Sequence, residues 1–501
     1  MIQNLQTFME VLIFIYLSRL IGVLIFKFLR VELETTTERI AYSIVGGLGA
    51  MGAIGLFLAA FGIFNAPAIW LVFIVIALLA SKIIAADIAI IKKIFADGIW
   101  LWLKKILTGA TFLKIIIVVW LTANLLIAFV PLTGHDTLDY HLPIIQDLVS
   151  SGQLTFNQEI SPYLYLPILG EIIYALPMAA FGEIGAPYVF QIIQFSILIL
   201  FSAIIFAFTK RWTKTDFLPA AAVIALLAIM PLEREVLHGG YVDVLGFIFS
   251  ISSLFLIIDN VFGNKFSRQQ IILAALLAGF AASVKYTSLF FVGVESIILL
   301  WAWRKELIIY LLIAGAAMSP WYVKNTVVFG NPVYPMLQDQ QFTEGVGMFM
   351  AIDRTLPNAF IFPFYKFGQW FTQNNESSSN LVILGYFIAV YGLIALMIIS
   401  RRKLSPAEII LFLSAEIYLL VLFFTSHQTR FLLPALILLP PLLAMLADKM
   451  LKEKLQRWFY LAICAAAVIL LLGNFHYFKV KNYYLLGIYN QMEYVKKIGG
   501  Q

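Results

Sequence analysis

Charge is what this chain has least of. Asp, Glu, Lys and Arg make up 12% of its 501 residues, against roughly a quarter in soluble proteins. With 62% hydrophobic residues and a mean hydropathy of +0.92, that scarcity excludes a soluble domain and implies a polytopic membrane protein. Cysteine is nearly absent as well. Cys464 is the single one, so there is no disulfide framework, and the redox compartment stays open. The first ten residues, MIQNLQTFME, hold no Lys or Arg, whereas a secretory leader begins with a basic segment; a retained first helix is expected. Ten-residue segments of alternating polarity, the mark of a membrane barrel, are missing. So is a Walker-type glycine loop, which argues against an ATP-driven pump.

What the chain does have is apolar runs of about 20 residues, recurring from Glu10 to Phe475, the length needed to cross a bilayer as a helix. The expected fold is therefore all-α, a polytopic integral membrane protein of about 14 transmembrane helices. The candidate spans are 8–29, 39–63, 67–90, 112–131, 187–208, 217–232, 242–260, 271–284, 287–303, 306–320, 381–399, 407–425, 430–447 and 457–475. Of these, 217–232, 271–284 and 306–320 are short for a straight crossing and call for tilt, a break or extension through polar neighbours.

Basic residues orient these spans. Placing the Lys92/Lys93/Lys104/Lys105/Lys114 connection in the cytoplasm puts five further basic groups there too. They are Lys210/Arg211/Lys214, Lys265/Arg268, Arg304/Lys305, Arg401/Arg402/Lys403 and Lys449/Lys452/Lys454/Arg457, with Arg30 and Arg39 on the same side. Every second loop is basic, as the positive-inside rule requires. The opposite connection from Thr133 to Tyr188 contains no Lys or Arg at all. Both termini are then expected outside. The formal charge of +6 is thus topological, and no nucleic-acid partner is expected.

Two external loops, 132–186 and 321–380, are too long to be turns. In the first, Leu142 to Leu154 sets Leu142, Ile145, Leu148 and Val149 against Gln146, Ser150 and Gln153, the pattern of an amphipathic interfacial helix. Tyr163 to Phe181 is more apolar, interrupted by Pro167 and Pro177, and is expected to dip into the headgroup layer. In the second loop the aromatic run Phe360 to Phe371 reads as an interfacial anchor, or else as the wall of a lipid-tail groove, and Asn374 to Asn380 as a flexible linker. On the inner face Ala96 to Leu107, with Trp100, Trp102, Lys104 and Lys105, reads as a surface helix.

With this orientation the polar residues gather on one face. They lie in GHDTLDYHLP (Gly134 to Pro143), LEREVLHGGYVD (Leu232 to Asp243), SVKYTS (Ser283 to Ser288), KNTVVFGNPVYP (Lys324 to Pro335) and SHQTRFLLP (Ser426 to Pro434). His135, His141, His238 and His427 fall in these clusters, and the fifth histidine, His476, is also external. If Gly134 to Pro143 is helical, Asp136, Asp139 and Tyr140 share a face. Polar residues gather wherever spans meet water, but Lys285 and Arg430 stand at tight reversals between apolar spans, where a cation calls for an anion. Snorkelling to lipid phosphate would also satisfy them. A carboxylate can take the proton of an attacking hydroxyl, while Lys and Arg stabilise charge on a departing phosphate. Together these groups suit transfer from a lipid-linked phosphate. His135, His141, Asp136 and Asp139 could bind a divalent cation but lack the ligand spacing of a metal site, so no metal and no cofactor are expected.

These motifs, in this order and on one side, resemble the GT-C superfamily of integral membrane glycosyltransferases, in particular the dolichyl-phosphate-mannose protein mannosyltransferase-like group, glycosyltransferase family 39. Asp136 and Tyr140 in the first large loop, Asp243 opening a span, Lys285 in AASVKYTSL, the GNPVYP loop and Arg430 in RFLLP carry the resemblance across 128–443. It implies that Asp136 is the catalytic base, with Asp139 as its neighbour or substitute. Asp243 looks like the second acidic position, and Lys285 and Arg430 look like contacts to the donor phosphate, joined by Lys324. Tyr140, His141, His238 and Tyr286 complete the expected substrate-binding set. The partners implied are a polyprenyl-phosphate-linked sugar donor and a protein, lipid or glycan acceptor, with inversion at the anomeric carbon. Two features depart from the family pattern: Asp136 is followed by Thr137 rather than by Glu, and three spans precede the catalytic loop.

The expected organisation is a three-span extension over 1–111, a catalytic core over 112–447, and a last span with an external tail over 448–501. The site is expected on the extracytoplasmic face of the plasma (inner) membrane. A lipid-linked-sugar flippase would instead rely on ionisable groups within spans, for which Glu295 and Glu416 are the candidates. A glycan polymerase or ligase would use groups like those of the transferase.

Overall fold

The computed structural model describes residues 2–97, 111–130, 132, 134–155, 162–182, 186–215, 217–229, 239–263, 266–336, 355, 357–358, 377–425 and 429–452, with scattered positions between 454 and 465. Among these residues the chain is helical and contains no strand. Seven helices are long and apolar enough to cross a membrane, or eight if one bent pair is counted as a span. The protein is an integral membrane protein.

The chain divides into two compact units. The first comprises Met1–Thr108, Asn124–Ile204 and Val236–Pro335. Its helices begin with α1 (Ile2–Leu29), α2 (Thr36–Ala60), α3 (Ala66–Leu79) and α4 (Ser81–Asp97). Local signals set these ends. Thr35 caps α2 by accepting from the Glu38 amide at 3.1 Å while the Glu38 carboxylate accepts from Thr35 N at 2.9 Å, so two otherwise orphan donors are satisfied. Asn65 caps α3 by accepting from the Ala68 amide at 3.1 Å, with Pro67 in the first turn. Helices α1 and α2 touch backbone to backbone: a Cβ on Gly22 would lie 1.8 Å from Ser43 O, and one on Gly47 1.6 Å from Ser18 O. Small residues permit this approach where no hydrophobic force drives helices together.

The single span expected at 67–90 is not straight. Helices α3 and α4 meet at Ala80 with a bend of 71°, and beyond the bend Arg19 holds Asp87 at 2.5 Å, with Tyr16 donating to the same carboxylate. A charged residue in an apolar setting is kept by its partner, which ties α4 to α1.

The external loop supplies α6 (Leu142–Ser151) and α7 (Leu169–Phe181), preceded by α5 (Thr111–Ile127). Helix α6 buries Ile144, Ile145 and Leu148, so Ile144 takes the inward place expected for Val149. All of Leu169–Ala180 in helix α7 is buried against the rest of the protein. Residues of α2 cover it, since a Cβ on Gly52 or Gly55 would meet Ile172, Ile173 or Leu169. The N-terminal spans therefore pack on the loop rather than apart from it. Helices α10 (Asp243–Phe262), α11 (Arg268–Val284), α12 (Leu289–Ala302) and α13 (Arg304–Phe329) complete the first unit, with α8 (Ala186–Trp212) entering it from its N-terminal end.

The second unit comprises Gly109–Ala123, Ile205–Glu235 and Met336–Gln501. Its described helices are α9 (Phe217–Leu227), α14 (Ser377–Ile399), α15 (Pro406–Thr425) and α16 (Leu433–Met450), with α5 as far as Ala123 and the C-terminal end of α8. Ser377 to Asn380, expected in a flexible linker, form the first turn of α14. Glu408 on α15 is fully buried and meets Lys449 on α16 at 2.6 Å. The surface helix expected at 96–107 lies almost wholly outside the described residues, as do the aromatic run 360–371 and most of the span at 457–475.

Candidate functional site

The Gly134 to Pro143 segment is helical from His135 and interlocks with Gly239 and Gly240. A Cβ on Gly134 would lie 1.9 Å from Gly239 O, and Thr137 Oγ1 donates to the same carbonyl at 2.5 Å. Gly240 has φ +74°, the left-handed region that glycine enters without cost, and a Cβ there would meet Thr137 at 2.8 Å. Thr137–His141 is one π-helical turn that runs on into α6, a form often found at functional sites.

On this turn Asp136 is half-buried and accepts from the Tyr140 hydroxyl at 3.2 Å. His135, largely exposed, places Nδ1 at 3.7 Å from the other carboxylate oxygen. Tyr140 is itself held between the rings of Tyr163 and His141. Asp139 is exposed, so Asp136 and Tyr140 share a contact while Asp139 points to the outside. His141 turns inward: its Nδ1 lies 2.7 Å from Glu171 Oε1 of α7. Sequence reasoning missed Glu171. The signal was there, since an acid in the apolar run Leu166 to Phe181 requires a partner.

Asp243, buried at the start of α10, forms an ion pair with Lys285 at the end of α11. The anion that the Lys285 reversal called for is thus supplied by the chain itself. Three elements meet here through small contacts: a Cβ on Gly170 would lie 2.8 Å from Val242 Cβ and 3.3 Å from Val284 Cγ1. The residues that follow these three in sequence are Glu171, Asp243 and Lys285. Gln194 of α8 donates to Tyr241 O at 2.9 Å.

Tyr286 and the GNPVYP loop are joined by hydrogen bonds. Tyr286 donates to Tyr334 O at 3.0 Å, and Asn325 Nδ2 donates to the Tyr286 hydroxyl at 2.8 Å and to Tyr165 O at 3.2 Å. Trp321 Nε1 also donates to Tyr165 O. Lys324 donates to Asn325 Oδ1 at 2.7 Å and sits 3.9 Å from the Trp321 ring centre. These contacts fix the end of α13 to the loop around Tyr165. Asn325, Tyr165 and Trp321 were not singled out by sequence, because what joins them is the backbone carbonyl of Tyr165, which no motif shows.

Arg430 belongs to the second unit, in the turn Thr429–Leu432 before α16, with its guanidinium 5.0 Å from the Phe431 ring centre. His238 lies outside the described residues, as do His427 and His476. Within the spans, Glu295 is fully buried and accepts from Ser253 at 2.5 Å and Tyr310 at 2.7 Å. Glu416 accepts from Tyr391 at 2.7 Å. Among the described residues no group of three or more His, Cys, Asp or Glu side chains could hold a metal ion.

A family model described as a domain of unknown function (DUF8201) matches residues 179–439. No curated protein sequence matches the chain. Among solved structures, ArnT from Cupriavidus metallidurans, crystallised bound to undecaprenyl phosphate, is similar with a TM-score of 0.50 and 15% identity, over 72% of this chain and 64% of that one. The chain thus spans less than two thirds of the length of that protein, and at this identity the likeness is one of fold. The fold is ArnT-like over that stretch.

Proposed function

The chain belongs to the DUF8201 family of domains of unknown function, and we propose that it is a membrane glycosyltransferase acting on a polyprenyl-phosphate-linked sugar. The observation that carries this is the interlock of the Asp136 turn with the segment leading to the Asp243–Lys285 pair, within one unit of an ArnT-like fold. The fold relative's crystal structure holds undecaprenyl phosphate, a ligand of the class that such a donor becomes once its sugar has left.

Asp136 is the base. It is 24% exposed and oriented by Tyr140. It takes the proton of the acceptor hydroxyl, whose oxygen attacks the anomeric carbon from the face opposite the phosphate. The bond from that carbon to the phosphate oxygen breaks, the configuration inverts, and polyprenyl phosphate leaves. Lys285 meets the charge that develops on the phosphate. An ammonium has three N–H donors, so being held by Asp243 is compatible with reaching a phosphate oxygen. His141 and Glu171 sit behind the turn and position it. Lys324 stands at the end of α13 as a further cation for the phosphate. The acceptor is a hydroxyl of a protein, lipid or glycan, and the site opens on the extracytoplasmic face of the inner membrane; the charge pattern of the loops supports that face. Every group given a role lies in the first unit.

The test is sugar release or transfer from radiolabelled polyprenyl-phosphate sugars by the purified protein in lipid, compared with Asp136→Asn. Release that requires Asp136 supports the proposal. Absence of release from every donor, with lipid-linked sugar crossing the bilayer instead, overturns it in favour of a transporter.

A further inference from the structure

In the second unit, three of the basic loops that the charge pattern assigns to the cytoplasm form the wall of one cavity of about 430 Å³. Arg211 and Lys214 come from the end of α8, Arg402 and Lys403 from beyond α14, and Lys449 from the end of α16. Asp448 is the one acidic side chain in the lining. The positive-inside rule asks only that such residues be in cytoplasmic loops; it gives no reason for loops far apart in sequence to point their cations into a shared concavity.

The fold itself uses part of this charge. Lys449 meets the buried Glu408, Arg402 donates to the Lys449 carbonyl, and the Asp448 carboxylate accepts from Lys214 N at 3.3 Å. These contacts set the shape of the cavity, while the ammonium ends of Lys214 and Lys403 belong to exposed side chains. Like charges gathered in a concave site raise the local concentration of an anion. Trp212 also lines the cavity, with the fully buried Met397 beneath. A tryptophan at the end of an apolar span sits at headgroup level, which sets the depth of the site.

We infer that this cavity binds the phosphate of an anionic phospholipid headgroup from the cytoplasmic leaflet. The chemistry is that of basic pockets between transmembrane helices, which take acidic headgroups. The site is independent of the transferase proposal and shares no residue with it.

The full-length protein, purified and stripped of lipid, is titrated with phosphatidylglycerol, phosphatidylcholine and glycerol 3-phosphate and read by native mass spectrometry. The expected result is retention of one phosphatidylglycerol, with phosphatidylcholine bound far less. Lys214→Gln with Lys403→Gln should weaken retention roughly tenfold or more. Removal of two exposed charges elsewhere, Lys92→Gln with Lys93→Gln on α4, should leave it unchanged. Both pairs replace exposed side chains, so melting temperatures should match the parent. Arg211→Gln repeats the measurement through a half-buried cation. Equal retention by the pocket variant and the parent, or equal loss in both pairs, overturns the inference. Saturation by glycerol 3-phosphate with no retention of phosphatidylglycerol overturns it too, by assigning the cavity to a soluble phosphate ester.

Discussion

His141 Nδ1 lies 2.7 Å from Glu171 Oε1 inside the first unit, and both side chains are 4% exposed. A buried pair of this kind adds little over a well-packed apolar pair, but removing one partner strands the other. Glu171→Ala should therefore lower stability by about 3–5 kcal/mol. Glu171→Gln, which keeps an acceptor for the imidazole N–H, should cost about 1–3 kcal/mol. Thermal or denaturant unfolding of the purified protein measures both. If Glu171→Ala melts with the parent, the contact does not hold the Asp136 turn, and the positioning role falls.

Asp136 and Asp139 lie three residues apart yet differ in setting. Asp136 is half-buried and oriented by Tyr140, whereas Asp139 is exposed. A positioned base contributes about 10²- to 10⁴-fold, so Asp136→Asn should lower kcat by that range and leave donor affinity nearly intact. Asp139→Asn should leave kcat close to the parent value. Steady-state transfer rates combined with a donor-binding titration separate the two effects. A large loss in Asp139→Asn alone would give the base role to the exposed acid.

The Asp243–Lys285 pair is asymmetric. The Asp243 side chain is 3% exposed and that of Lys285 24%. Lys285→Ala leaves a buried carboxylate without its cation, which costs several kcal/mol. Asp243→Ala leaves an ammonium that can swing toward water on its flexible stem, and should cost less. The double variant should be more stable than Lys285→Ala alone. Unfolding of the three variants decides; equal losses in the two single variants would mean that burial does not govern this pair.

The two halves of this site were legible to different degrees. Asp136, Asp243 and Lys285 stand where apolar spans end, and a charged residue at such a point is visible in a linear sequence. That Lys285 answers to Asp243 was not, because the pair depends on Gly170, Val242 and Val284 meeting. Glycine motifs show the need for a close approach without naming the partner, as Gly134 and Gly239 illustrate. The burial of Leu169–Ala180 was not legible for a related reason: apolar residues broken by proline look alike in a headgroup layer and in an interior. The bend at Ala80 left no mark either, since no proline or glycine stands there and α3 runs into α4 at a single residue.

Glu295 decides between catalysis and passage. It lies within a span, fully buried, where a transporter would want an ionisable group on its path, but it is held by the hydroxyls of Ser253 and Tyr310 from α10 and α13. Glutamine keeps a carbonyl that accepts from a hydroxyl, so Glu295→Gln should preserve both the packing of these helices and the rate of sugar transfer. A carrier that moves lipid-linked sugar through this carboxylate would lose transport in Glu295→Gln and keep it in Asp136→Asn. A transferase gives the reverse. Transfer and transbilayer movement of the same labelled donor, measured side by side in proteoliposomes for both variants, distinguish the two, because no single chemistry predicts sensitivity at both positions.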